Sequence, residues 1–144
     1  LDELDMPLNH IKPHGSLYVM ASKDEEMCRA IADAVTPFNV SIFGMANTAH
    51  EKIYKEERKL DFVAEFYADL DYDKNGKLVI AKGKQSMYDS KLAVKRALRA
   101  VSEKKVKTTS GTDIDVGCDT ICVHSDTPNA VEIITKLKNA LSKK

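Results

Sequence analysis

Asp119-Thr120-Ile121-Cys122-Val123-His124-Ser125-Asp126-Thr127-Pro128 carries the first decision about the fold. Residues 120–124 are β-prone and apolar enough for a buried strand. They run directly into Thr127-Pro128, where a helix can start because proline tolerates the first helical turn. Beyond it Val131, Ile134, Leu137 and Leu141 recur at helical spacing and predict the buried face of a final helix. A strand that empties into a helix is half of a βαβ unit.

The same alternation repeats toward the N-terminus. Residues 9–13 read as a short strand, since Pro13 disfavours helix at Lys12. Ser22-Lys23-Asp24-Glu25 has the form of a capping box, in which the serine satisfies an orphan amide and the glutamate reaches back. It predicts a helix buried through Met27, Ala30, Ile31, Ala34 and Val35 and ended by Pro37. Residues 40–44 predict a second strand. Thr48-Ala49-His50-Glu51, another capping box, opens a helix to about Lys59, and residues 62–67 predict a third strand. Lys74-Asn75-Gly76-Lys77 marks a turn before the β-prone Leu78-Val79-Ile80. Residues 89–102 predict a helix packed through Ala93, Ala97, Leu98 and Val101. Residues 106–116, broken at Ser110-Gly111, predict a small hairpin. The pattern is α/β: a parallel sheet with an inserted hairpin, in a single domain covering 1–144.

Composition narrows the function classes. At 144 residues, 43% hydrophobic and 31% charged, the chain can bury a real core. Lys plus Arg and Asp plus Glu balance at 22 each, which leaves no cationic excess for a phosphate backbone, so nucleic acid is not an expected partner. No apolar run is long enough for a bilayer, so no membrane is expected either. Three cysteines are too few for a secreted disulfide framework, and a cytoplasmic location is expected. Leu1 is not an initiator, and residues 1–6 read as the last turn of a helix, so a longer parent chain is expected.

Sites in parallel α/β folds collect where strands end and helix amino termini begin. Two segments have that character. In Lys12-Pro13-His14-Gly15, an extended chain puts Lys12 and His14 on one side, while Gly15 permits a tight turn. A cation beside an imidazole suits binding a carboxylate or phosphate and moving a proton. The same residues also read as a surface turn with a snorkelling lysine. In His124-Ser125-Asp126-Thr127, the helix start favours an anion, and His124 is a candidate acid or base oriented by Asp126. The plainer reading makes Asp126 or Thr127 a helix N-cap.

Other patterns carry less. His10 and His14 would lie roughly 13 Å apart in an extended segment, too far to share one ion. Cys118 and Cys122 lack two further ligands at suitable spacing. Asp71 to Leu78 matches the first eight positions of an EF-hand loop, but Lys82 stands where a bidentate glutamate is needed. An Asp/Asn/Gly-rich turn is the better reading there.

Three blocks together resemble the C-terminal part of the LamB/YcsF family. They are residues 9–18, with Lys12-Pro13-His14-Gly15 at the centre; Glu65-Phe66-Tyr67-Ala68-Asp69 followed by Tyr72; and residues 119–128. The resemblance implies a partial (β/α) barrel of the glycoside hydrolase and deacetylase-like type. It implies the lactam-hydrolysing component of a three-part, ATP-dependent 5-oxoprolinase, which opens 5-oxo-L-proline to L-glutamate. The other 5-oxoprolinase subunits would be its partners and would activate the lactam. On that view His14, His124, Asp126, Glu65 and Asp69 are catalytic candidates, and Lys12, Gly15, Ser125 and Thr127 bind substrate. ATP would act at the level of the complex, and no metal ligands are assigned.

The chain departs from the family at Leu70, where arginine is common, at Ser125, where glycine is usual, and at Gln85-Ser86-Met87. The family's amino-terminal motifs have no counterpart here. Unpaired sheet edges would then favour self-association or completion by a missing N-terminal segment, and this chain alone would be inactive. Two other functions compete: a carbohydrate-active deacetylase-like protein, and a non-catalytic remnant acting as a binding module.

Overall fold

Local chemistry decides where each element starts, and the computed structural model describes the outcome for residues 2–80 and 89–142. The departure noted at residues 85–87, and Lys82 of the EF-hand comparison, lie outside the described residues. The chain divides into two compact units, Leu1–Ala64 and Glu65–Lys144.

In the first unit β1 (His10–Ile11) pairs in parallel with β2 (Ser41–Gly44), and β2 pairs in parallel with β3 (Phe62–Tyr67), in the register Ile42 to Phe62 and Gly44 to Ala64. A short helix, α1 (Gly15–Ala21), follows β1; nothing in the sequence patterns foretold it. Ser22 therefore closes α1, donating its hydroxyl to the Val19 carbonyl at 2.8 Å, rather than capping the next helix. Asp24 takes the capping role: its side chain accepts the Met27 N–H at 3.0 Å and starts α2 (Glu25–Val35). The buried face of α2 is Cys28, Ala32 and Val35, with Met27 and Ile31 packed at its margin; Ala30 and Ala34 of the expected stripe are exposed. These residues form one core with Ala21, Ile42, Ile53 and Tyr54.

The expected helix after Thr48 has a different winding. Thr48 accepts the His50 N–H and Glu51 accepts the Asn47 N–H, a capping exchange set one residue early. The coil then widens into a seven-residue π-helix, Glu51–Glu57, a rare geometry often found at functional positions.

In the second unit the end of β3 pairs in parallel with β8 (Thr120–Cys122), Glu65 opposite Thr120 and Tyr67 opposite Cys122. Two antiparallel hairpins are inserted between them: β4 (Asp71–Tyr72) with β5 (Leu78–Val79), and β6 (Lys105–Lys107) with β7 (Asp113–Asp115). The first closes over Asp73, whose carboxylate accepts the Asn75 and Lys77 N–H groups at 2.8 Å each, with Gly76 in the left-handed region at φ +76°. Asp71, the first position of the EF-hand comparison, is ion-paired instead with the largely buried Arg96 at 3.1 Å.

Helix α3 (Ser90–Glu103), capped by Asp89, packs on α4 (Ala130–Leu141). The buried residues of α3 include the small Ala93, Ala97 and Ala100, and those of α4 are Ala130, Ile133 and Leu137. Ser90 joins the two helices by donating to Glu132 at 2.7 Å. Leu137 alone of the four expected positions is buried; Val131 is 80% and Ile134 51% exposed, and Leu141 is also exposed. The burial of α4 is turned by about one residue from the expected face. No helix among the described residues is long and apolar enough to cross a membrane.

Candidate acid–base site

Side chains alternate along a strand, so Glu65 and Tyr67 project from one face of β3. The ladder continues one step beyond it, where the Ala68 N–H donates to the Cys122 carbonyl at 3.1 Å. Asp69 thereby keeps the same face as Glu65 and Tyr67, and the register of β8 carried two residues on sets His124 against it.

Asp69 is fully buried and would be unstable there as a bare anion. Three donors satisfy it: the His124 backbone N–H at 2.6 Å, the His124 ring Nδ1 at 3.0 Å and the Thr127 hydroxyl at 2.8 Å. Burial pushes its carboxyl up, but the His124 ring, the His124 amide and Thr127 together outweigh it and hold the group below the usual aspartate value. A carboxylate only accepts, so the hydrogen on the imidazole lies on Nδ1 and Nε2 is the basic nitrogen. The His124 side chain is 39% exposed, open enough for a small molecule to approach. Tyr67 stacks on that ring at 5.6 Å between centroids, and its hydroxyl donates to Glu65 Oε2 at 2.8 Å.

The carboxylate that orients His124 is thus Asp69, not the expected Asp126, which is exposed beside Ser125. Thr127 does not cap α4 either. Its hydroxyl is committed to Asp69, and the helix opens after Asn129 rather than at Pro128. A groove of about 660 Å³ adjoins Ser125 and Thr127 and extends along α4 to Glu132 and Lys136.

The first unit holds the remaining candidates. Gly15 opens α1 at φ +59° in open space, so its value there is conformational freedom. His14 is extended and exposed just ahead of it, without a side-chain cap bond. Lys12 is half-buried, its ammonium 5.7 Å from the centre of the Tyr18 ring, a cation–π contact rather than a snorkelling tail.

His50 is the residue that sequence reasoning passed over. It is fully buried, its Nδ1 accepts the Met45 N–H at 3.1 Å, Tyr18 meets it edge-on and Tyr54 stacks on it. Burial pushes its pKa down to about 4. Gly44 makes room for it, since a Cβ there would lie 2.8 Å from both His50 Cβ and Phe62 Cε2. Among the described residues no group of three or more His, Cys, Asp or Glu could hold a metal ion.

The model of the LamB/YcsF family matches residues 1–144. The chain belongs to the LamB/YcsF family. A protein of Campylobacter jejuni subsp. doylei, named as a subunit of 5-oxoprolinase, is 37% identical over 142 residues, covering 96% of this chain and 55% of that protein. One of the same name from Oceanobacillus iheyensis is 39% identical over 137 residues, covering 93% and 53%. A crystal structure of a lactam utilization protein from Thermus thermophilus aligns with a TM-score of 0.86 at 34% identity, covering 99% of this chain and 57% of that one. The expected α/β class, a partial (β/α) barrel with an inserted hairpin, agrees with that likeness. The chain spans about half the length of the curated relatives it matches.

Within this LamB/YcsF chain the departure at Leu70 has a structural counterpart. Arg96 Nη2 donates to the Leu70 carbonyl at 3.0 Å, so a guanidinium from α3 reaches the residue after Asp69. Ser125 is accommodated without a left-handed backbone: among the described residues the non-glycine residues at positive φ are Asp5, Asn39, Asn47, Lys59 and Lys104.

Proposed function

We propose that this chain belongs to the lactam-hydrolysing component of an ATP-dependent 5-oxoprolinase and contributes the acid–base pair that converts 5-oxo-L-proline to L-glutamate. The observation that carries the reading is the His124–Asp69 hydrogen bond, because it joins two motif blocks of the family into one oriented imidazole. His124 Nε2 takes a proton from a water molecule as the water oxygen bonds to the lactam carbonyl carbon. The ring C–N bond then breaks, and the imidazolium returns its proton to the departing nitrogen, leaving the amine and carboxyl of glutamate. Asp69 keeps Nδ1 protonated and stabilises the transient cation, as a buried carboxylate does for a general base. Thr127 and the His124 amide fix that carboxylate in place.

ATP is consumed by the complex, and activating the lactam is assigned to the other subunits. At the start of α4 the amides of Thr127 and Ala130 already donate to the carbonyls of His124 and Thr127. The roles of Glu65, Asp126 and Ser125 as supporting polar groups, and of Lys12, His14 and Gly15 in the other unit, are proposals that their own alanine variants test. A cytoplasmic setting is part of the same proposal, because the substrate and ATP are found there.

The test supplies the intact protein and its partner subunits with ATP and 5-oxo-L-proline, and follows L-glutamate. Release is expected to fall by about 100-fold or more in His124→Ala, the range for losing a general base, with circular dichroism unchanged. Wild-type release by His124→Ala would remove the reading.

A further inference from the structure

Tyr67 links Glu65 to the His124 ring, touching one through its hydroxyl and the other through its ring. Its ring lies nearly parallel to His124, at 17°, and its hydroxyl donates to Glu65 at 2.8 Å. Tyr67 is 3% and Glu65 6% exposed, so neither end of this bridge is loosened by water. The backbone is pinned as well, because the Tyr67 N–H donates to the Tyr72 hydroxyl at 2.9 Å, and Tyr72 stacks on Phe66.

The bond to Asp69 restrains the imidazole within its own plane. The ring is tethered at Cγ, so the rotation left cheap is a rocking about Cα–Cβ that keeps Nδ1 within reach of the carboxylate, and a ring so turned would carry Nε2 off its line. A flat aromatic face against the imidazole removes that rotation. The face is effective only if Tyr67 itself cannot tilt, and a buried hydroxyl tied to a carboxylate on the same strand face supplies that fixity.

We propose that Tyr67 is a positioning residue that couples the Glu65 carboxylate to the His124–Asp69 pair: the hydroxyl anchors on Glu65, and the ring so held fixes the plane of His124. This rests on reading His124 as the general base, but it is tested without turnover. Glu65 then acts through Tyr67 and is not itself a proton donor in the reaction.

The test uses the full chain with 15N-labelled histidine and reads solvent exchange of the His124 Nδ1 hydrogen by NMR, with urea midpoints measured in parallel. Tyr67→Leu removes the face, and exchange should speed up at least tenfold. Tyr67→Phe keeps the face and loses the anchor, and exchange should rise about threefold with little change in midpoint. Glu65→Ala should match Tyr67→Phe, Glu65→Gln should stay near wild type because it keeps an acceptor, and the Glu65→Ala/Tyr67→Phe double variant should be no faster than either single one. Exchange within twofold of wild type in Tyr67→Leu would overturn the positioning role. Additive effects in the double variant, or a Tyr67→Phe indistinguishable from wild type, would overturn the coupling. Should Tyr67→Leu fail to fold, the Phe and Glu65 variants decide alone. The exchange rates are read independently of glutamate release, so failure of the hydrolytic reading in His124→Ala is distinguishable from failure of the positioning role.

Discussion

His50 and His124 are held by nitrogens of the same name in opposite senses. His50 Nδ1 accepts a hydrogen from the Met45 amide, inside a fully buried aromatic nest. His124 Nδ1 donates to a buried carboxylate while the ring keeps a face toward solvent. Protonating His50 would break its bond and strand a charge in an apolar setting, so the ring stays neutral. Protonating His124 would strengthen the bond it already has. The two environments, more than the residue type, separate a packing histidine from one suited to moving protons.

The comparison is broken most severely by removing the carboxylate. Asp69→Ala leaves the His124 amide, the ring and the Thr127 hydroxyl without their acceptor, and should cost about 3 kcal/mol at neutral pH, read by urea unfolding. It should also abolish the single Nδ1–H tautomer of His124, whereas the His50 signals should not move.

Acidification separates the two rings by pH window. The unfolded chain protonates a histidine at the ordinary 6.5, but native His50 resists until about 4. Stability contributed by keeping it neutral is therefore complete above 6.5 and falls as pH drops toward 4, by roughly 3 kcal/mol. Asp69 acts lower: its folded pKa lies below 3.8, so its contribution is present above that value and is lost as pH falls through the folded one. Unfolding free energy against pH should show two descents, and His50→Gln should erase the upper one. A single descent below 3.8 in the wild type would show that His50 is not shielded.

Gly44→Ala sharpens the contrast from the side of the nest. The added methyl must displace His50 or Phe62, at a cost of about 1–3 kcal/mol by denaturation. The smallest effect belongs to Asp126→Ala. The side chain is exposed, so stability should stay within about 0.5 kcal/mol and the His124 tautomer should not change.

The strands were readable because alternation and flanking turn residues are local properties, and β3 occupies the expected residues 62–67. The α3 boundary was readable for the same reason, through Asp89. Helix faces were harder. The apolar residues of α4 suggest a face through Val131 and Ile134, but the buried residues are Ala130, Ile133 and Leu137. The π-helix has no periodic signature that distinguishes it from an α-helix over seven residues. At the site, His124 and Asp69 could each be named from motif blocks, yet their pairing could not. Asp126 is two residues from His124 and Asp69 is fifty-five away, and only strand register brings the distant one close.

That separation along the chain has a consequence for biosynthesis. A parallel pair cannot be closed by a tight turn, so the carboxylate leaves the ribosome long before its imidazole is made. At about 5–20 residues per second the interval is several seconds. Through that time Asp69 is a hydrated anion at a strand tip with neither of its side-chain donors yet synthesised. The proton-handling pair therefore cannot be complete until Thr127 has been made.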